Sequence, residues 1–215
     1  MQRDLPDAVG NRPRRFSLVR SFSSADFITL ANGACGMGSI LLSMAYVDAG
    51  SPRALWLAIA LLPLALICDV LDGAVARWRR RSSPYGADLD SLADIVSFGV
   101  APAVLAYAVG MRGGWDAVVL VYFVCCGIGR LARFNATADE LMTDQGKVSH
   151  FEGTPIPTSV ALVGIIAWGF SQGAVLDRLW LGQMDIGPFA LHPLVLAYAL
   201  SGSAMVTATL KIPKP

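Results

Sequence analysis

Residues 69–94 read DVLDGAVARWRRRSSPYGADLDSLAD, and four of their five carboxylates, Asp69, Asp72, Asp90 and Asp94, stand at the inner ends of two long apolar stretches. An ionisable side chain at membrane depth costs at least about 2.5–3.5 kcal/mol even on the mildest scale, so it marks a site by default. Asp69, Asp72, Gly73 and Ala76 are spaced i, i+3, i+4 and i+7, which puts two acids and two small residues on one helix face. Gly86, Asp90 and Asp94 follow at i, i+4 and i+8 on the next helix, after a turn containing Pro84 that lets the two faces converge. Four carboxylates brought that close repel one another unless cations intervene. Hard oxygen ligands without Cys or His point to magnesium or manganese. Two such ions side by side suit displacement at phosphorus, where they hold the attacking and leaving oxygens in line.

The surrounding chain is that of a membrane protein. Its 215 residues are 54% hydrophobic and only 15% charged, with a mean hydropathy of +0.54, a charge depletion foreign to soluble domains. Spans of about 20 residues, the length needed to cross hydrocarbon, are expected at 26–48, 54–77, 88–110, 115–134, 155–176 and 188–210. Gly, Pro and polar clusters separate them, including the run 135–153, expected as a loop or short surface helix, and 177–188. The fold class expected is therefore all-α, one domain over 1–215, an integral membrane bundle of six helices. Arg14, Arg15 and Arg20 mixed with Phe16, Leu18 and Phe22 suit a short interfacial segment within residues 1–25, with a solvated basic tail as the alternative. No apolar signal-type core precedes Phe22, so no cleaved leader is expected. Cys35, Cys68, Cys125 and Cys126 lie in apolar runs and read as small buried residues.

Lysine and arginine set the orientation. With the N-terminus inside, 14 fall on the cytoplasmic side and only Arg53, Arg112 and Arg178 on the other. Both termini and the four aspartates are therefore expected at the cytoplasmic face of the cell (inner) membrane. Trp78, Trp115 and Trp180 fall near span ends, at headgroup level. No nucleic-acid partner is expected.

Several residues near the acids admit two readings. Gly73 and Ala76 either leave room for a flat group or serve close helix packing. Arg77, inside the helix frame of the acids, offers a fork to a phosphate, whereas Arg79, Arg80 and Arg81 read as topology determinants. Asn32 needs a partner for its amide, either a donor headgroup or a neighbouring helix. Ser97, three residues past Asp94, would orient an acceptor or a water, or simply pack. Arg130 and Arg133, i and i+3 at the inner end of the fourth helix, would either receive an acidic acceptor or anchor the helix. His150 reads as a loop residue, His192 carries no assignment, and the glycines of NGACGMGS (32–39) read as a packing seam.

The pattern DxxDGxxARx8Gx3Dx3D formed by Asp69, Asp72, Gly73, Ala76, Arg77, Gly86, Asp90 and Asp94 is the signature of the CDP-alcohol phosphotransferase family, matched without gap or substitution. At ordinary residue frequencies eight fixed positions recur by chance about once in 10⁹ starting points. The resemblance implies that the four aspartates ligate two Mg2+ or Mn2+ ions and that Asp94 also deprotonates the acceptor hydroxyl. It further implies that Gly73 and Ala76 line a cytidine pocket and that Arg77 contacts the diphosphate; Gly86 of the signature, and Asn32 on its donor-headgroup reading, are expected to complete the CDP-binding set. A homodimer is implied as well. ITLANGACG (28–36), LDSLADIVSFGVAPA (89–103), RLARFN (130–135) and FEGTPIP (151–157) resemble the serine-accepting, membrane-integral branch. Ser97, Arg130 and Arg133 are then the expected acceptor residues. The expected reaction moves a phosphatidyl group from CDP-diacylglycerol to L-serine and releases CMP. Glycerol 3-phosphate or inositol phosphate as acceptor is the alternative. From other classes, a divalent-cation channel or transporter would want acids near mid-span, and a membrane scaffold would leave their cost unexplained.

Overall fold

The structure is a computed structural model that describes residues 24–79, 86–143, 150–152, 154–207 and 211–213. Among these described residues, six helices carry the fold. Helix α1 is Ser24–Ala49 and α2 is Pro52–Arg79. Helix α3 runs over Gly86–Val109 and α4 over Gly114–Thr143. Helix α5 is Val160–Ser171, led in by a 3-10 turn at Ile156–Ser159, and α6 is Leu196–Val206, led in by Pro193–Val195. Two minimal antiparallel ribbons accompany them: β1 (His150–Glu152) pairs with β4 (Lys211–Pro213), and β2 (Met184–Ile186) with β3 (Phe189–Leu191).

Helices α1 to α4 are long and apolar enough to cross a membrane, and a spanning helix satisfies its own backbone hydrogen bonds, which lipid cannot do. The most apolar windows of α1, α2 and α4 are 28% buried and that of α3 is 67% buried, so α3 is the central helix. Phe98 and Leu105 of α3 meet Leu55 and Leu62 of α2, Phe123 of α4 and Tyr198 of α6 in one core. The Tyr198 hydroxyl, wholly buried, donates to the carbonyl of Pro102 at 3.1 Å, which satisfies a polar group where no water reaches. Packing of α1 on α3 is close enough to need glycine: a Cβ on Gly36 would stand 2.7 Å from the Cα of Ser97. Gly33 faces Ala93, and Gly38 faces Leu61 of α2. The 32–39 stretch is thus a packing seam.

Three boundaries differ from the sequence expectation. The fourth helix continues to Thr143, so the first part of the polar run 135–153 prolongs α4. The fifth and sixth spans contract to Ile156–Ser171 and Pro193–Val206. Between these two, the β2–β3 hairpin takes the end of the expected loop 177–188 and, through β3, the first residues of the expected sixth span, and His150 lies in β1 rather than a loop. The expected interfacial segment falls mostly at residues 1–23, and the turn holding Arg80, Arg81 and Pro84 at 80–85, both outside the described residues.

Immediately after Asp94 the central helix changes winding. Ile95–Val100 form a π-helical segment between the α-helical Gly86–Asp94 and Ala101–Val109. Such bulges shift the phase of the faces that follow and recur at functional sites. Ser97, inside this segment, meets Asn32 of α1, as Asp94 does just before it.

Candidate active site

The C-terminal part of α2 and the N-terminal part of α3 bring three carboxylates together. One oxygen from each of Asp69, Asp72 and Asp90 lies within 4.8 Å of the others. Asp72 is buried, and Asp69 and Asp90 are half-buried. Asp94, one turn beyond Asp90 and buried, stands outside this triad but within electrostatic reach of Asp69, Asp90 and Asp72. The i, i+3 and i, i+4 spacings create each face, and the packing of α1 against both helices makes them face each other.

Helix α1 holds the acids in place. The Thr29 hydroxyl donates to Asp72 Oδ2 at 2.6 Å, and the Asn32 amide donates to Asp94 Oδ1 at 3.1 Å. One helix therefore grips a carboxylate from each of the two site helices. Asn32 thus has its helix–helix partner, while its own amide oxygen, fully buried, has no hydrogen-bond partner. Asp26, also buried on α1, lies within electrostatic reach of Asp72. Thr29 and Asp26 escaped the sequence reading. Their signal was the spacing Asp26, Thr29, Asn32, polar residues every three positions along the first turns of α1.

The remaining expected residues divide into two groups. Gly73 and Ala76 lie beside the acids on α2, half-buried, and an Arg77 Nη atom folds back to 3.5 Å from where a Gly73 Cβ would stand. Gly86 opens α3. Arg130 and Arg133 are half-buried on α4, with the Arg130 guanidinium in electrostatic reach of Asp94 and 5.8 Å over the Phe134 ring. Ser97 is not turned into the site: its hydroxyl donates to the Asn32 carbonyl at 2.9 Å, the packing alternative. Ser91 bonds Asn135 at 3.2 Å and ties the Asp90 turn of α3 to α4.

The donor set fits divalent cations. Three carboxylates share a small volume, and among the described residues no lysine or arginine forms an ion pair with any of them. Oxygen-only ligands of this kind suit Mg2+ or Mn2+.

Comparison with known proteins agrees with the geometry. The model of the CDP-alcohol phosphatidyltransferase family matches residues 22–207. The chain is similar to the CDP-diacylglycerol–serine O-phosphatidyltransferase of Saccharomyces cerevisiae, 42% identical over 93% of this chain and 74% of the relative. It is 38% identical to the protein of that name from Mycobacterium leprae, over 76% of this chain and 53% of the relative. It is 40% identical to the archaetidylserine synthase of Methanothermobacter thermautotrophicus, over 64% of this chain and 54% of the relative. The chain thus spans about half the length of the latter two. With both the aspartate constellation and the match over most of its length, the chain belongs to the CDP-alcohol phosphatidyltransferase family.

Proposed function

We propose that the protein transfers a phosphatidyl group from CDP-diacylglycerol to the hydroxyl of L-serine, giving phosphatidylserine and CMP. The observation that carries this reading is the convergence of Asp69, Asp72 and Asp90 within 4.8 Å, with Asp94 held beside them by Asn32. The choice of serine is supported by the names of the three relatives, each of which contains it.

Asp69, Asp72, Asp90 and Asp94 would hold two Mg2+ or Mn2+ ions, which when bound neutralise the diphosphate and the charge that develops on it. Asn32 engages Oδ1 of Asp94 and leaves Oδ2 to take the proton of the serine hydroxyl. The serine oxygen bonds to the lipid-side phosphorus, the bond from that phosphorus to the CMP oxygen breaks, and CMP leaves with the electron pair. Arg77 sits over Gly73 on the acids' helix and would steady the diphosphate, with Ala76 and Gly86 beside the nucleotide. Arg130, near Asp94, would receive the serine carboxylate, with Arg133 next to it. The reading includes one domain, six crossings, both termini and the site at the cytoplasmic side of the cell membrane, and a homodimer.

The test is CMP release by purified protein given CDP-diacylglycerol, Mn2+ or Mg2+, and one alcohol at a time. L-serine is expected to drive release. Release with glycerol 3-phosphate and none with serine would replace the acceptor, and cation flux without release from any alcohol would replace the enzyme.

A further inference from the structure

At the end of the bundle away from the acids, the chain between α5 and α6 is built like a membrane-interface element, and nothing in the reaction uses it. Its position follows from the helix order: α3 runs from the acids to Val109, α4 starts there at Gly114, and the β2–β3 hairpin packs on that turn. A Cβ on Gly114 would collide with the Phe189 side chain. Asp116, fully buried in the first turn of α4, fastens the hairpin's exit: its Oδ1 accepts from the His192 backbone N–H at 2.8 Å and its Oδ2 meets His192 Nδ1 at 2.5 Å. Asp116 Oδ2 also accepts from the Gly113 N–H at 2.8 Å. Trp115 donates through its indole to the Ile186 carbonyl at 2.9 Å, with its ring edge-on to Phe189. The hairpin is therefore clamped to the spanning bundle.

Its side chains are sorted by face. Residues opposite each other in a ribbon share a face, so the pairs Met184–Leu191 and Ile186–Phe189 form an apolar face while Asp185–Ala190 form the other. Met184, Ile186 and Phe189 are all exposed. Ahead of them Leu181 is 74% exposed and adopts φ +70°, a left-handed turn position where glycine or asparagine is the unstrained choice. A strained, exposed leucine is out of place in water.

The flanking helices name the occupant. Helices α5 and α6 have 12 and 11 α-helical residues and with their 3-10 turns reach about 24 and 21 Å, against a hydrocarbon core of about 30 Å. Trp168 on α5, stacked edge-on with Trp180, and Leu200 on α6 are exposed apolar side chains of these two helices. Tryptophans 115, 168 and 180 lie at this end, as an aromatic belt does at headgroup level.

We infer that the β2–β3 hairpin lies in the bilayer interface of the leaflet opposite the acids. The side chains of Leu181, Met184, Ile186 and Phe189 enter the acyl-chain boundary and complete the apolar belt at the end where the crossing helices α5 and α6 stop short of the full hydrocarbon thickness. Asp185 and Gln183, joined by a 3.0 Å hydrogen bond, face water.

The test uses the wild-type protein in vesicles of phosphatidylethanolamine and phosphatidylglycerol. It is labelled in parallel with a membrane-partitioned carbene reagent and a water-soluble one, and labelled residues are read by mass spectrometry. Met184, Ile186 and Phe189 are expected to take the membrane reagent within about twofold of Val121, an exposed residue of spanning helix α4. Gln183 and Asp185 are expected to take the water-soluble reagent. Labelling of the apolar three by the water-soluble reagent alone overturns the inference. So does protection from both reagents with crosslinking of two chains through the hairpin, which would make a second copy the occupant.

Discussion

Thr29 on the first helix donates its hydroxyl hydrogen to Asp72 Oδ2 over 2.6 Å, while its oxygen stays 3.2 Å from the Ala25 carbonyl, to which the same hydrogen can turn. A carboxylate of the acidic triad is thus aimed by a residue from a helix that carries none of the family's signature aspartates. A hydrogen bond to a charged group contributes about 1.5–3 kcal/mol. Thr29→Val is expected to weaken the apparent Mg2+ or Mn2+ affinity by about ten- to a hundredfold. Thr29→Ser should recover most of it. A metal titration of CMP release reads both variants, and equal metal curves for wild type and Thr29→Val would deny the positioning role.

Chelation tests the triad directly. EDTA should abolish CMP release, and added Mn2+ or Mg2+ should restore it. Asp90→Asn removes one of the three converging carboxylates and should lower kcat/KM by at least about a hundredfold at fixed metal. Unchanged release after exhaustive chelation would remove cations from the mechanism.

Arg130 is the residue placed to separate acceptor from donor. If its guanidinium receives the serine carboxylate, Arg130→Met should raise the KM for serine by about tenfold or more while the KM for CDP-diacylglycerol stays within about twofold. Steady-state kinetics with each substrate varied in turn gives the answer. A rise confined to the lipid substrate would assign Arg130 to the donor.

Gly36 tests the seam between α1 and α3. An added methyl would meet the Ser97 backbone at 2.7 Å, and neither helix can yield at that point without moving the site. Gly36→Ala is expected to destabilise by about 1–3 kcal/mol, the cost of overpacking, seen as a lower thermal midpoint in detergent. Gly129, with open space around its Cβ position, should accept alanine with no loss.

The Asp116–His192 pair lies in the first turn of α4, about four turns before Arg130, so stability and catalysis should part company there. Leaving a buried hydrogen-bonding group without its partner costs about 1–3 kcal/mol. Asp116→Ala should therefore lower the thermal midpoint markedly, while CMP release at low temperature keeps its metal and serine dependence. A selective change in serine KM would contradict that separation.

Much of the site was readable from spacing. Asp69, Asp72, Asp90 and Asp94 fall on two helix faces because a helix repeats every 3.6 residues, and composition alone established a membrane chain. Asn32 was singled out because a buried amide must find a partner, and its partner is Asp94. Thr29 and Asp26 went unnoticed: a hydroxyl or carboxylate near a helix start looks the same whether it caps, faces solvent or reaches another helix. Ser97 shares the Asp94 face, as its spacing implies, and both meet Asn32; that its hydroxyl is taken by the Asn32 carbonyl depends on the approach of α1, which spacing does not encode. The β2–β3 hairpin was equally hidden, since three-residue strands are too short to show a period.

The sequence by itself therefore determined the class of protein, the acids, their faces and the reaction family, all of which depend on local period and composition. Tertiary structure alone decided which carboxylates converge, which helix orients them, and that α5 and α6 are joined by a clamped hairpin. Those depend on how closely backbones approach. Gly36 against Ser97 sets that approach for α1 and α3, and no spacing along one helix encodes the distance to another.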